Sequence, residues 1–121
     1  IRKADLLLMP YQSKISINSN DYKDDISKFI SPLKMFEYLG TGIPIISSEL
    51  KVLKEVLIHK KNAYLIKSYH HPLSWKKAIK SLANNNELRT KISKSAIKTA
   101  KLHTWDLRVR KIIKLYNEKN I

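Results

Sequence analysis

The residues best placed to do chemistry lie between Ser31 and Ser47, where SPLKMFEYLGTGIPIIS holds both glycines of the chain and two of its four prolines. Ser31 then Pro32 has the form of a helix N-cap followed by the first helical residue. Lys34 then falls at the third helical position, where a capping box carries Glu or Gln. A cation there opposes the positive end of the helix dipole, at a cost of some tenths of a kcal/mol. The conflict vanishes if an anion binds, because free backbone N–H groups, the dipole and Lys34 together make a phosphate site. Glu37 lies one turn beyond Leu33 and projects back toward the same helix end. A carboxylate does not hold phosphate, but it accepts two hydrogen bonds from the vicinal hydroxyls of a ribose. Together these are the parts of a nucleoside-diphosphate site. Taken singly, a Ser-Pro start is also a plain cap and Glu37 a solvated side chain, so both readings stand at this level.

The elements around this stretch alternate. ADLLLMP (4–10) and IPIIS (43–47) are short, continuously apolar runs, as expected of strands buried on both faces of a parallel sheet, and NAYLIK (62–67) reads as a third. Residues 11–30 are polar, rich in Ser, Asn and Asp, and read as a long loop. A helix is expected from Pro32 to about Leu39, with Leu33, Phe36 and Gly40 on one face and Gly40 and Gly42 ending it. Residues 50–60 show helical spacing at Leu50, Leu53 and Val56 or Leu57. A further helix over 71–85 carries Trp75, Ile79, Leu82 and Ala83 on its stripe, and three asparagines, 84–86, break it. Glu87 to about His103 repeats Leu88, Ile92, Ala96 and Ala100 at four-residue spacing. Thr104 can cap a last helix whose stripe is Trp105, Val109, Ile112, Ile113 and Tyr116. Alternating strands and helices imply an α/β fold, with right-handed crossovers and ligands held beyond the carboxyl ends of the strands. The helix start at Ser31 falls at that edge.

Composition narrows the classes. The chain has 121 residues and no cysteine, so it is one small domain without disulfides, thiolate metal sites or Cys nucleophiles. His59, His70, His71 and His103 have no carboxylate or His partner at ligand spacing, so no metal site is expected. No apolar run is long enough to span a bilayer, and a soluble, cytosolic chain is expected. It opens on Ile1 and enters a strand within four residues, as a piece of a longer protein does. Residues 1–50 carry as many acidic as basic side chains, so the whole net charge of +14 falls on residues 51–121. There the lysines follow helical spacing, as in Lys91, Lys94, Lys98 and Lys101. A solvated surface is the favoured reading, an anionic membrane surface the next, and nucleic acid the least.

The run SPLKMFEYLGTGIPIISSELKVLKEVLIHKKNAYLI resembles the donor-binding segment of family 4 glycosyltransferases of GT-B architecture, which read SPLK-x-FEYMA-x-GKPI followed by SDLPVLREVL. The tail, NNNELRTKISKSAIKTAKLHTWDLRVRKIIKLY, is similar to the family's closing stretch, where an ELR helix precedes TW and a helix that crosses to the other domain. The resemblance covers Ala4 to Tyr116. It implies a Rossmann-like three-layer parallel sheet that is part of the C-terminal domain of such an enzyme, with 1–103 as the donor domain, truncated at its N-terminus, and 104–121 as the crossing helix. It also implies transfer of a sugar, with retention of configuration, from a UDP- or GDP-linked donor to a glycan or lipid-linked acceptor, in cell-surface polysaccharide or glycolipid synthesis. The acceptor would be held by an N-terminal domain outside this chain, and the segment alone would be inactive.

By the same resemblance Glu37 binds the ribose hydroxyls, and the backbone around Ser31, Leu33 and Lys34 holds the diphosphate. No catalytic residue, cofactor or metal is assigned within the chain. The family's other glutamate, which contacts the donor hexose, stands eight residues before Glu37, and that position here is Phe29. This departure keeps a non-catalytic nucleotide-binding module as the alternative, ahead of a basic nucleic-acid-binding module.

Overall fold

The computed structural model describes residues 3–13 and 33–120. Within them lie three parallel strands, β1 (Leu7–Met9), β2 (Ile45–Ser48) and β3 (Tyr64–Ile66), in the order β1-β2-β3. Leu7 pairs with Ile45, and Ile46 with Tyr64. Four α-helices accompany them: α1 (Leu33–Thr41), α2 (Pro72–Ala83), α3 (Asn86–Lys101) and α4 (Trp105–Lys119). The protein is α/β, with a parallel sheet flanked by helices in the Rossmann-like manner. The strands are shorter than the apolar runs at 4–10, 43–47 and 62–67, because pairing ends where the prolines and polar turns begin.

Successive residues of β2 serve opposite layers, as a sheet covered on both faces requires. Ile45 packs with Leu7, Met9, Met35, Leu39, Leu65 and Ala96, whereas Ile46 packs with Ile66, Ala78, Leu82 and Ile92. α3 supplies Ile92 to one cluster and Ala96 to the other, so it ties the layers together.

Local chemistry sets the helix ends. Asn85 caps α3 by accepting the Leu88 N–H at 2.9 Å, and the Arg89 guanidinium donates to the final carbonyls of α2, at Leu82 and Ala83. α1 ends in a hydroxyl-supported turn, with Thr41 Oγ1 donating to Tyr38 O at 2.7 Å and accepting the Ile43 N–H at 3.1 Å. Gly42 follows with φ +70°, and its carbonyl accepts the Ser93 hydroxyl of α3.

Four expectations need correction. Gly40 does not end α1 but lies inside it, and of the two glycines only Gly42 has a positive φ. The buried face of α1 is Met35 and Leu39, while Leu33 is 63% exposed. In α2 the inward residues are Ala78 and Leu82, with Ile79 and Ala83 outside. Residues 50–60 do not form an α-helix. They make one 3-10 turn, Leu53–Glu55, with Leu53 and Leu57 buried. The reason is Asn62, whose amide donates to Val56 O at 2.9 Å and accepts the Ile58 N–H at 2.7 Å, drawing both groups out of a helical ladder.

The segment after that turn covers the outer edge of β3. His59 forms a parallel bridge with Ala63, its Nδ1 accepts the Leu65 N–H at 2.9 Å, and the Lys60 N–H donates to Ala63 O at 2.8 Å. On its other side, the edge of β1 carries no further strand among the described residues.

α4 starts after the expected cap, with Thr104 Oγ1 accepting the Leu107 N–H at 3.4 Å, and runs to Lys119. None of its residues is buried. Trp105 and Tyr116, for example, are 69% and 68% exposed. The lysine faces of α2 and α3 are exposed throughout, and no helix among the described residues is long and apolar enough to cross a membrane.

Candidate functional site

α1 leads through Gly42 into the start of β2, so its other end, at Leu33, lies toward the carboxyl edge of the parallel sheet. Its apolar residues Met35 and Leu39 anchor it on the sheet, which turns Leu33, Lys34, Glu37 and Gly40 outward. Ser31, the proposed cap, lies outside the described residues, as does Phe29.

Leu33 and Glu37 come together in a cleft of about 500 Å³ between the outer face of α1 and the start of α4. Lys34 is exposed beside it but does not line it. The far wall consists of His103, Trp105, Arg108 and Lys111. The rings of Phe36 and His103 meet at 5.4 Å across the α1–α3 junction, and the Arg108 guanidinium sits 5.5 Å from the centroid of Trp105. Glu37, Lys34, Arg108 and Lys111 make no ion pair among the described residues. The cleft thus offers one acceptor carboxylate, two unpaired cations and exposed ring faces, a set suited to a ligand with hydroxyls, negative charge and a planar group.

This far wall is absent from the sequence reading. The signal was available in TWDLR, which puts an aromatic and a cation at i, i+3 on one helix face just after the Thr cap.

A second hollow of about 700 Å³ lies between β3 and the first turns of α2. Here Lys54 and Glu49 form a 2.9 Å ion pair, which holds the Glu49 carboxyl below its usual range through the hydrogen bond from Lys54. Lys67 and Lys77 also line it. His59, at its rim, is pushed below the ordinary imidazole value by burial first and the Lys60 charge second, with Glu49 acting the other way. Ser48 Oγ, buried at the carboxyl end of β2, has no hydrogen-bond partner among the described residues. No three metal-ligating side chains gather among the described residues.

Comparison with protein families matches residues 1–114 to the family described as glycosyl transferase-like. Comparison with curated proteins finds no match.

Proposed function

The chain belongs to the glycosyl transferase-like family, and on that premise we propose that it is the donor-binding portion of a retaining family 4 enzyme of GT-B architecture. The donor is a nucleotide-diphosphate sugar, UDP- or GDP-linked, and the acceptor a glycan or lipid-linked glycan held by an N-terminal domain. Residues 1–103 form the donor domain and 104–121 the helix that crosses to its neighbour. The work belongs to cell-surface polysaccharide or glycolipid synthesis on the cytoplasmic side, where the basic helical faces suit an anionic membrane surface.

The observation that carries this reading is the position of Glu37. It is exposed, makes no ion pair among the described residues, and lines a cleft together with Leu33 of the first turn of α1. Glu37 accepts hydrogen bonds from the ribose hydroxyls, while backbone N–H groups near Leu33 and the Lys34 ammonium meet the diphosphate. Their catalytic value is electrostatic. Charge grows on the diphosphate as the sugar departs, and donors fixed in advance stabilise that charge more in the transition state than in the bound donor.

Turnover of a nucleotide-sugar panel by the whole protein tests the proposal. Release of UDP or GDP dependent on acceptor supports it. Tight nucleotide binding with no transfer from any donor favours the non-catalytic module, the reading that Phe29 in place of the other glutamate recommends.

A further inference from the structure

The hollow between β3 and α2 shares no lining residue with the cleft beside Glu37, and the donor reading gives it no task. We propose that it is a separate anion site, which holds the phosphate of an organic phosphate monoester through Lys67, Lys77 and Ser74.

Charge is the first reason. Lys54, Lys67 and Lys77 reach the hollow from three separate segments, the 3-10 turn, the end of β3 and the second turn of α2. The carboxylate that lines it, Glu49, is already held by Lys54 at 2.9 Å. Lys67 and Lys77 make no ion pair among the described residues. Cations gathered in one concavity repel one another, and an anion placed among them offsets that repulsion. Glu49 is lowered by the Lys54 hydrogen bond first and His59 by burial first, and the Lys67 charge adds to both shifts. One positive field therefore covers the hollow from Glu49 to His59.

Hydrogen-bond donors are the second. α2 begins with no acidic residue in its first turn and no side-chain cap from His71, so nothing on the helix itself counters the positive end of its dipole. Ser74 of that turn and Ser68 after β3 add hydroxyls to the lining. Ser48 pairs in register with Ile66 of the lining, on the side of the sheet that α2 covers, and its buried hydroxyl has no partner among the described residues. A buried donor left in this way costs stability, and an acceptor entering beside it relieves that cost.

Shape is the third. At about 700 Å³ the hollow has the size of an organic ligand site and exceeds what an inorganic anion fills. Its other wall is apolar, with Ile58, Tyr64 and Ile66. A cationic end and an apolar side suit a phosphate ester whose carbon part lies against that wall. Two sources share this chemistry, a soluble polyol phosphate and the headgroup of an anionic lipid.

Calorimetric titration of the whole protein with glycerol 3-phosphate, and its flotation with phosphatidylcholine vesicles containing phosphatidic acid, test the site and separate the two sources. Lys67→Gln combined with Lys77→Gln is expected to weaken binding by about tenfold or more. Lys91→Gln combined with Lys94→Gln removes the same charge from α3 and should change binding by about twofold at most. All four lysines are exposed, so the fold survives their replacement. Binding of glycerol 3-phosphate without recruitment to the vesicles identifies a soluble ester, and recruitment that needs Lys67 and Lys77 identifies a lipid headgroup. Equal losses in the two pairs, or a loss in Lys34→Gln instead, overturn the inference and leave the donor reading standing. Absence of binding to both probes overturns it too.

Discussion

The side-chain amide of Asn62 donates to the Thr99 hydroxyl at 3.0 Å, joining the loop before β3 to a helix 37 residues further along the chain. Thr99 in turn donates to Ser95 O at 2.9 Å, so the contact is anchored within α3. Asn62 is 2% exposed, and every polar atom of its amide is engaged. Asn62→Ala leaves the Ile58 N–H and the Val56 carbonyl without their partner, and a loss of about 2–4 kcal/mol is expected. Thr99→Val removes one bond only and should cost about 1 kcal/mol. Urea denaturation of both variants checks the ranking, and equal losses would contradict it.

The two glycines should respond in opposite directions. Gly40 sits inside α1 with nothing within 4 Å of an added Cβ, so Gly40→Ala should stabilise by about 0.5–1 kcal/mol. At Gly42 the φ of +70° disfavours any L side chain, and a Cβ would come within 2.7 Å of Ile97 Cδ1. Ile97 is partly exposed and its tip can turn aside, so the backbone carries most of the penalty, about 1–2 kcal/mol for Gly42→Ala. Thermal melts of the pair decide this, and a stabilised Gly42→Ala would refute it.

The bond from Leu65 N–H to His59 Nδ1 requires an imidazole with that nitrogen unprotonated. Burial and Lys60, joined by Lys67 and opposed by Glu49, hold the folded imidazole below its ordinary value. The unfolded chain therefore takes up a proton first as pH falls. This contribution to stability is complete above the ordinary imidazole pKa of about 6.5 and is lost as pH falls from there through the depressed folded value. Glu49 is also held low, by the hydrogen bond from Lys54 first, so its own contribution is lost as pH falls below the ordinary carboxylate value through its depressed folded one. His59→Gln keeps an acceptor that does not titrate. Melting temperatures between about pH 8 and 5 should fall more for the wild type than for His59→Gln, and parallel curves would exclude this role.

Glu37→Ala separates a ligand-facing carboxylate from a structural one. The side chain is exposed and makes no ion pair among the described residues, so stability should stay within about 0.5 kcal/mol. Donor affinity should fall by about ten- to a hundredfold, the value of charge-assisted hydrogen bonds to two hydroxyls. Unchanged donor binding by a well-folded variant would remove Glu37 from the site.

The sheet and its helices were legible because IPII and LLLM are apolar without alternation and the helices after Pro72 and Thr104 carry plain start signals. Other features depended on partners far along the chain. Leu50, Leu53 and Leu57 have the same spacing whether the segment is a helix or a folded loop, and the choice is made by the amide of Asn62. In LKMFEYLG both the 33–36–40 and the 35–39 faces are apolar, and only the direction of the sheet selects the second. That Leu33 and Glu37 share one side of α1 was readable from spacing within a single helix. The side chains across the cleft stand in TWDLR, but their placement opposite Glu37 depends on how the chain turns after His103, which no local pattern encodes.

The covering of β3 by His59 and Lys60 gives the sheet a direction of growth. At that side the outward Leu65 N–H and Ala63 carbonyl are already satisfied by the chain itself, so a strand approaching there must displace an imidazole before it gains a hydrogen bond. At β1 an arriving strand meets no such competitor among the described residues and extends the order β1-β2-β3 outward from Leu8. Any enlargement of this sheet, whether by another part of the same polypeptide or by a neighbouring molecule, is thereby steered to one side.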